Sequence, residues 1–126
     1  MIKSRKTQGA IKMKNRRNNP FLYTKDVEFE ELGGGVKRKI LAYGDELMTV
    51  EVHFETGAVG AMHSHPHTQL TYVLDGKFEF TIGTEKKIVE KGDMVYAVAD
   101  VPHGCVCIEK GVVLDTFTPC REDFIK

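Results

Sequence analysis

One stretch of the chain, Gly57–Gly76 (GAVGAMHSHPHTQLTYVLDG), constrains the fold more than any other. Its His63 and His65 lie two residues apart, so on a strand both imidazoles would point to the same face. Pro66 limits strand pairing directly after them, and a bend there would return Gln69 to the same side. Because neutral imidazole is the commonest metal-binding side chain, this stretch is a candidate metal site built on β-structure, although a surface histidine pair of this kind, taken alone, can equally well bind nothing.

A second stretch, Gly92–Cys107 (GDMVYAVADVPHGCVC), contributes His103 as a fourth candidate ligand. Cys105 and Cys107 follow at two-residue spacing, so on one strand all three side chains would share a face. Two interpretations of the thiols are open: a mixed His/Cys metal site, or small apolar filler inside the fold. We favour filler, because free cysteine is often buried.

Short strands separated by tight turns make up the rest of the chain after residue 20. Val50, Val52 and Phe54 alternate on one strand face, and Asp75-Gly76 predicts a hairpin turn. The predicted strands are Val27–Leu32, Val36–Tyr43, Leu47–Phe54, Leu70–Leu74, Phe78–Ile82, Lys86–Val89, Met94–Val98, His103–Ile108 and Val112–Thr118. With no convincing amphipathic helix, this pattern predicts an all-β sandwich or barrel.

Charge is balanced over the whole chain, with 18 basic and 18 acidic residues, but it is unevenly placed. Residues 1–19 hold seven of the basic residues and none of the acidic ones, so the remainder is acidic and nucleic acid is not expected as a partner. The low hydrophobicity of residues 1–19 predicts a disordered tail without function. The alternatives are a contact with nucleic acid or anionic membrane, or a true start at Met13. We expect a single domain over residues 20–126.

Cellular location follows from what the sequence lacks. No apolar run reaches the length of a membrane span, and none follows the basic start as in a signal peptide. The three cysteines form an odd count, whereas small secreted domains favour even disulfide frameworks. We therefore expect a cytoplasmic protein with no membrane partner.

Both histidine stretches together resemble the cupin family. The first cupin motif is matched by Gly57, His63, His65, Gln69 and Gly76, with Gln in place of the usual Glu, and the second by Gly92, Asp93, Pro102 and His103. Val98 and Cys107 depart from residues that are frequent in the second motif, and neither is a ligand position. The resemblance implies a single-domain jelly-roll β-barrel that holds a metal ion on His63, His65, Gln69 and His103.

A narrower resemblance covers most of Val27–Phe124. The stretches RKILAYGDELMTVEV, HSHPHTQLTYVLDGKFEFTIG, KGDMVYAVADVPHG and VLDTFTPCREDF are similar to the pectin-degradation cupins, which convert 4,5-unsaturated monouronates to linear keto forms. This implies a small-molecule uronate substrate, a divalent metal (Zn, Ni, Mn, Fe or Co), a homodimer, and catalytic roles for Asp115 and Arg121. Whether the uronate derives from pectin or from alginate is left open.

Several alternatives remain at this point. Three histidines and a glutamine also suit a metal-dependent dioxygenase, and a non-catalytic sugar-binding cupin would carry similar motifs. Asp115 and Arg121 have a structural alternative, an ion pair that closes the C-terminus. His53 and His67 are expected to be exposed residues outside the site.

Overall fold

The computed structural model describes residues 19–126, so the predicted basic tail lies outside the described residues except for Asn19. A 3-10 turn at Thr24–Asp26 precedes the strands. The strands are β1 (Glu30–Gly33), β2 (Val36–Tyr43), β3 (Met48–Phe54), β4 (Val59–His63), β5 (Thr68–Ile82), β6 (Glu85–Glu90), β7 (Met94–Ala97) and β8 (His103–Thr118). One short helix, α1 (Glu122–Ile125), follows β8. No helix within residues 19–126 is both long enough and apolar enough to cross a membrane.

Two long strands, β5 and β8, form the centre of the fold. They pair antiparallel along their whole length, from Thr68↔Thr118 to Ile82↔His103. The strand order is β1-β2-β3-β8-β5-β6, with β4 added to β8 and β7 added to β5. At one end β8 pairs with β4, and at its other end it pairs with β3. Likewise, β5 pairs with β7 in its first half and with β6 in its second half. Both long strands therefore pass from one layer of the barrel to the other. The predicted all-β, single-domain jelly-roll barrel is confirmed.

Two glycines face each other where the long strands turn this corner. A Cβ on Gly76 would lie 2.5 Å from Gly111 Cα, and a Cβ on Gly111 would lie 2.8 Å from the Phe78 ring. Gly76 has a φ of 83°, which side chains rarely tolerate. The predicted hairpin at Asp75-Gly76 is therefore wrong, because the glycine bends one continuous strand with irregular register instead of ending it. For the same reason the two strands predicted on either side of Lys110 are one strand.

The core lies inside the barrel and follows the predicted alternation. Met48, Val50, Val52 and Phe54 are buried along β3, while the residues between them are only partly covered. Phe54 and Phe78 meet edge to face at 5.2 Å between ring centroids, a favoured geometry for aromatic pairs. This packing joins strands from both layers of the barrel.

The three thiols belong to the same core. Cys105, Cys107 and Cys120 are buried in the hydrophobic cluster and none of them forms a disulfide. Burial raises the pKa of Cys105 to about 12, so its thiol stays protonated and behaves as a small apolar side chain. The interpretation of Cys105 and Cys107 as filler is confirmed.

Candidate metal and catalytic site

Four side chains from three strands and one loop converge at one end of the barrel. His63 ends β4 and is paired directly with His103, which begins β8. The ligand atoms of His63, His65 and His103 all lie within 4.8 Å of one another. Gln69, on β5, places its Oε1 3.0 Å from His65 Nε2 and 3.1 Å from His103 Nε2. The structure thus brings together all four residues that the motifs predict as ligands.

His65 reaches the site from a loop, not from a strand. β4 ends at His63, so the same-face rule for strands does not apply to His65. Its position is fixed instead by its own backbone, whose carbonyl accepts a 2.8 Å hydrogen bond from the Asp100 N–H of the loop before β8. The expected geometry is obtained, but through a loop-to-loop contact that the local sequence pattern does not encode.

The protonation pattern of the histidines suits a cation. Nδ1 of His63 and Nδ1 of His103 each lie 2.9 Å from a backbone carbonyl, of Ala61 and Val101, and must donate to it. Each neutral ring therefore presents an unprotonated Nε2. For His103 that nitrogen faces Gln69 Oε1, which is also an acceptor. Protonation of His103 would turn Nε2 into a donor to this oxygen, but burial lowers the pKa of His103 and disfavours the imidazolium. A bound cation satisfies both acceptors, so the donor set fits a metal.

Gln69 is held with its oxygen toward the histidines. Its Nε2 donates to Thr71 Oγ1 at 3.0 Å and to Asp115 Oδ1 at 3.3 Å. The Thr71 hydroxyl in turn donates to the same Asp115 oxygen at 2.6 Å. Because both acceptors lie on the amide nitrogen side, the opposite orientation of Gln69 would lose these bonds. The set of ligands is therefore neutral, and the full charge of a bound cation would remain available to a substrate.

Asp115 lies beside this cluster on β8, half-buried and facing the barrel interior. Within the described chain its hydrogen bonds all use Oδ1, which leaves Oδ2 for a substrate. Burial raises the pKa of Asp115 to about 6, although the hydrogen bonds from Thr71 and Gln69 and the charge of Arg121 oppose the rise. A carboxyl group that titrates near neutrality is suited to proton transfer.

Arg121 is buried, and its charge acts on the site. It contributes to the lowered pKa of His65 and of His103, behind the larger effect of burial. Its hydrogen-bonding partner, however, is Asp123, not Asp115. A direct Asp115–Arg121 pair, the structural alternative considered from sequence, is not among the ion pairs of residues 19–126.

Two further histidines lie at different distances from the site. His53 is half-buried on the outer face of β3, where it contacts Glu51 at 2.9 Å and Phe29 edge-on, so it stands outside the site as expected. His67 lies closer than expected, with its ring 5.4 Å from that of His65 and Nδ1 buried without a hydrogen-bonding partner in the described chain. Its expected exposure in the loop is therefore wrong.

Sequence reasoning missed two residues of this region. Thr71 is almost fully buried and connects Gln69 to Asp115. Asp123 holds Arg121 in a two-point ion pair. A signal for Thr71 existed in its two-residue spacing from Gln69, which places both side chains on one strand face.

Access to the site is from the side of His63. His65 and His103 are buried whereas His63 is exposed. A small molecule can therefore approach the cluster from solvent, with Asp115 and Arg121 as the charged groups next to the ligands.

Comparison with known proteins agrees with this architecture. Residues 50–117 match the cupin domain family. The chain belongs to the cupin family. It is 48% identical over 102 residues to the pectin degradation protein KdgF of Dickeya dadantii (strain 3937), which covers 79% of this chain and 93% of that protein.

Two solved structures are similar over nearly their whole length. An RmlC-like cupin from Shewanella frigidimarina is 38% identical with a TM-score of 0.83, over 86% of this chain and 98% of that one. KdgF from Halomonas sp. is 36% identical with a TM-score of 0.81, over 85% of this chain and 99% of that one.

Proposed function

We propose that this protein is a metal-dependent enzyme that converts 4,5-unsaturated monouronates, released from pectin or alginate, into linear 5-keto-4-deoxyuronates. The observation that carries the proposal is the neutral cluster of His63, His65, Gln69 and His103 with Asp115 directly behind Gln69. The 48% identity to a pectin degradation protein supports the same substrate class.

Substrate binding is assigned to the open end of the cluster. An unsaturated uronate carries a carboxylate at C6, next to C5 of the C4–C5 double bond. Arg121 supplies a buried positive charge for that carboxylate, and its planar fork suits carboxylate geometry. The hemiacetal carbon C1 is on the other side of the ring oxygen O5, and we assign Asp115 to its hydroxyl.

Proton transfer is assigned to Asp115. Its Oδ2 takes the proton from the C1 hydroxyl, the C1–O5 bond breaks, and C1 becomes an aldehyde. The electron pair of that bond remains on O5 as an enolate with C5 and C4. Return of one proton to C4 gives the 5-keto product, so the reaction is an isomerisation with no net gain or loss of atoms. A well-placed acid–base group contributes roughly 10²–10⁴-fold to the rate.

The metal site completes the chemistry. His63, His65, Gln69 and His103 would hold a divalent cation, and such an ion supplies Lewis-acid stabilisation for negative charge on an enolate oxygen. Nitrogen and amide oxygen ligands suit Zn, Ni, Mn, Fe or Co. The neutral Gln69, in place of a glutamate, avoids lowering the charge that the cation presents.

A direct assay tests the proposal. The purified, metal-loaded protein is incubated with 4,5-unsaturated monouronate, and the ultraviolet absorbance of the conjugated double bond is followed. Loss of absorbance faster than in buffer alone is expected, with a matched His103→Ala protein at the spontaneous rate. Turnover of a catechol or flavonol with oxygen consumption, and none of the uronate, would instead identify a dioxygenase.

We also propose a homodimer. Exposed apolar side chains adjoin on the outer face of β5 and β7, where Tyr72 is paired with Met94 and Leu70 with Tyr96. Tyr96 is 62% exposed and Met94 53%, which is unusual for a monomer surface when the residues are contiguous. Light scattering should give twice the chain mass, and Tyr96→Lys should shift the protein toward the monomer. A monomeric wild-type protein contradicts the proposal.

A cytoplasmic location is the last part of the proposal. It is supported by the three buried thiols, which form no disulfide and fit a reducing compartment. Fractionation of the source cells, with activity as the readout, tests this location.

A further inference from the structure

The C-terminal turn holds Arg121 by one edge of its guanidinium. Nε donates to Asp123 Oδ1 at 3.1 Å and Nη2 donates to Asp123 Oδ2 at 2.9 Å. These two parallel bonds occupy the Nε/Nη2 side of the fork. The Nη1 nitrogen and the second Nη2 hydrogen remain, and together they form an end-on edge that is equally able to grip a carboxylate.

Two aromatic rings flank the same group. The guanidinium carbon of Arg121 lies 4.1 Å from the Phe124 ring centroid and 5.1 Å from that of Phe117. Phe117 also contacts His65, with ring centroids 5.7 Å apart. Arg38 of β2 lies 4.1 Å from the Phe124 ring, so Phe124 is itself held against the barrel. The two rings are nearly perpendicular to each other, at 84°, so they hold the guanidinium in place without deciding which of its edges faces the histidines.

The choice of edge is made by the ion pair with Asp123, which holds Nε and Nη2. The Arg121 side chain is 11% exposed and that of Asp123 58%, so a buried cation is anchored by a carboxylate at the surface. Without that carboxylate, two of the five N–H donors lose their partner, and the guanidinium can turn its fork away from the cluster of histidines.

We propose that Asp123 is a positioning residue that aims the end-on edge of Arg121 at the carboxylate of the substrate. This inference rests on the proposed function, in which Arg121 binds the uronate carboxylate. Asp123 does not touch the substrate. It acts by fixing which edge of Arg121 faces the site before the substrate arrives, and pre-organisation of this kind lowers the loss of side-chain freedom on binding.

The experiment compares Asp123→Ala, which removes both acceptor oxygens, with wild type, and Asp123→Glu is the conservative rescue. Glu55→Ala is the matched control, because Glu55 also pairs with a cation, Lys110, at 3.8 Å, in an exposed ion pair. KM and kcat are measured on 4,5-unsaturated monouronate, and the Nε–H resonance of Arg121 is recorded by NMR in the substrate-free protein.

Asp123→Ala should raise KM roughly 10-fold with kcat changed less than about 3-fold, since carboxylate binding is shared by ground and transition states. The Nε–H resonance should be protected from exchange in wild type and Asp123→Glu and lost in Asp123→Ala. Glu55→Ala should match wild type in every measurement.

Three results would overturn the positioning role: an unchanged Nε–H signal in Asp123→Ala, an unchanged KM, or equal losses in the Glu55→Ala control. If the wild-type protein does not turn over the uronate at all, the proposed function fails. The Nε–H signal then still decides whether Asp123 holds Arg121.

Discussion

Asp115→Asn is the most informative single substitution, because its effects on stability and on catalysis should have opposite signs. The structure places Asp115 Oδ1 as the acceptor for both Thr71 and Gln69. Asparagine keeps an oxygen at that position, so both bonds can persist and Gln69 keeps its orientation. What the substitution removes is the negative charge and the ability to take a proton.

The size of the stability effect follows from the pKa. Burial raises the pKa of Asp115 from 3.8 to about 6, and each pH unit corresponds to about 1.4 kcal/mol. Ionised Asp115 therefore lowers the free energy of unfolding by about 3 kcal/mol in the metal-free protein. Because the folded pKa is the higher one, this loss is complete above pH 6, decreases as the pH falls toward 3.8, and disappears below it.

Urea denaturation of chelator-treated protein measures this directly. At pH 7.5, Asp115→Asn should be more stable than wild type by up to about 3 kcal/mol, and at pH 4.5 the difference should be much smaller. The metal-loaded variant should lose roughly 10²-fold or more in kcat. A loss of stability instead of a gain would contradict the argument from the raised pKa. Wild-type turnover in a stable, metal-loaded variant would remove Asp115 from the mechanism.

Four further predictions follow. Chelation should lower the melting temperature of wild type, because a metal that binds only the folded chain stabilises it. The melting temperature of His103→Ala should not change on chelation. An equal fall in melting temperature in both proteins would argue against this site. Gly111→Ala should destabilise the barrel by about 3 kcal/mol through overpacking at the strand corner, and Gly44→Ala, where a Cβ meets nothing within 4 Å, is its control in the same urea assay. The hydrogen bonds from Arg121 lower the pKa of Asp123, so Asp123 should stabilise the fold relative to Asp123→Asn above pH 4, and this stabilisation should disappear as the pH falls through the folded pKa. Melting curves of the two proteins at pH 7 and pH 3 measure it. A larger difference at pH 3 than at pH 7 would contradict the prediction. A chain that begins at Met13 should keep full activity and melting temperature, and a large drop in either would show that residues 1–12 belong to the fold.

The convergence of the four candidate ligands was predictable from sequence because the two motifs that contain them are local. His63, His65 and Gln69 fall within one short segment, and His103 within a second. The strand alternation of β3 was equally predictable, since burial of every second residue is a direct consequence of strand geometry.

The errors arose where a distant contact overrides the local signal. Asp75-Gly76 has the composition of a hairpin turn, but Gly111 packs against it from the neighbouring strand and the chain continues. Asp123 was missed because an Arg-x-Asp spacing in a C-terminal segment is common on protein surfaces. Its significance becomes visible in the structure, where the Arg121 guanidinium that it binds lies 4.1 Å from the Phe124 ring.

The pairing of β5 with β8 also has a consequence for how activity first appears during folding. The side-chain contacts that assemble the site join residues 34, 44 and 46 positions apart in the chain. Such contacts have high contact order and form late, after the entropy of closing long loops has been overcome. No isolated hairpin of this protein contains the complete ligand set together with Asp115. Recovery of metal affinity after dilution from urea should therefore coincide with closure of the whole barrel, and it should lag behind the earliest gain of strand signal.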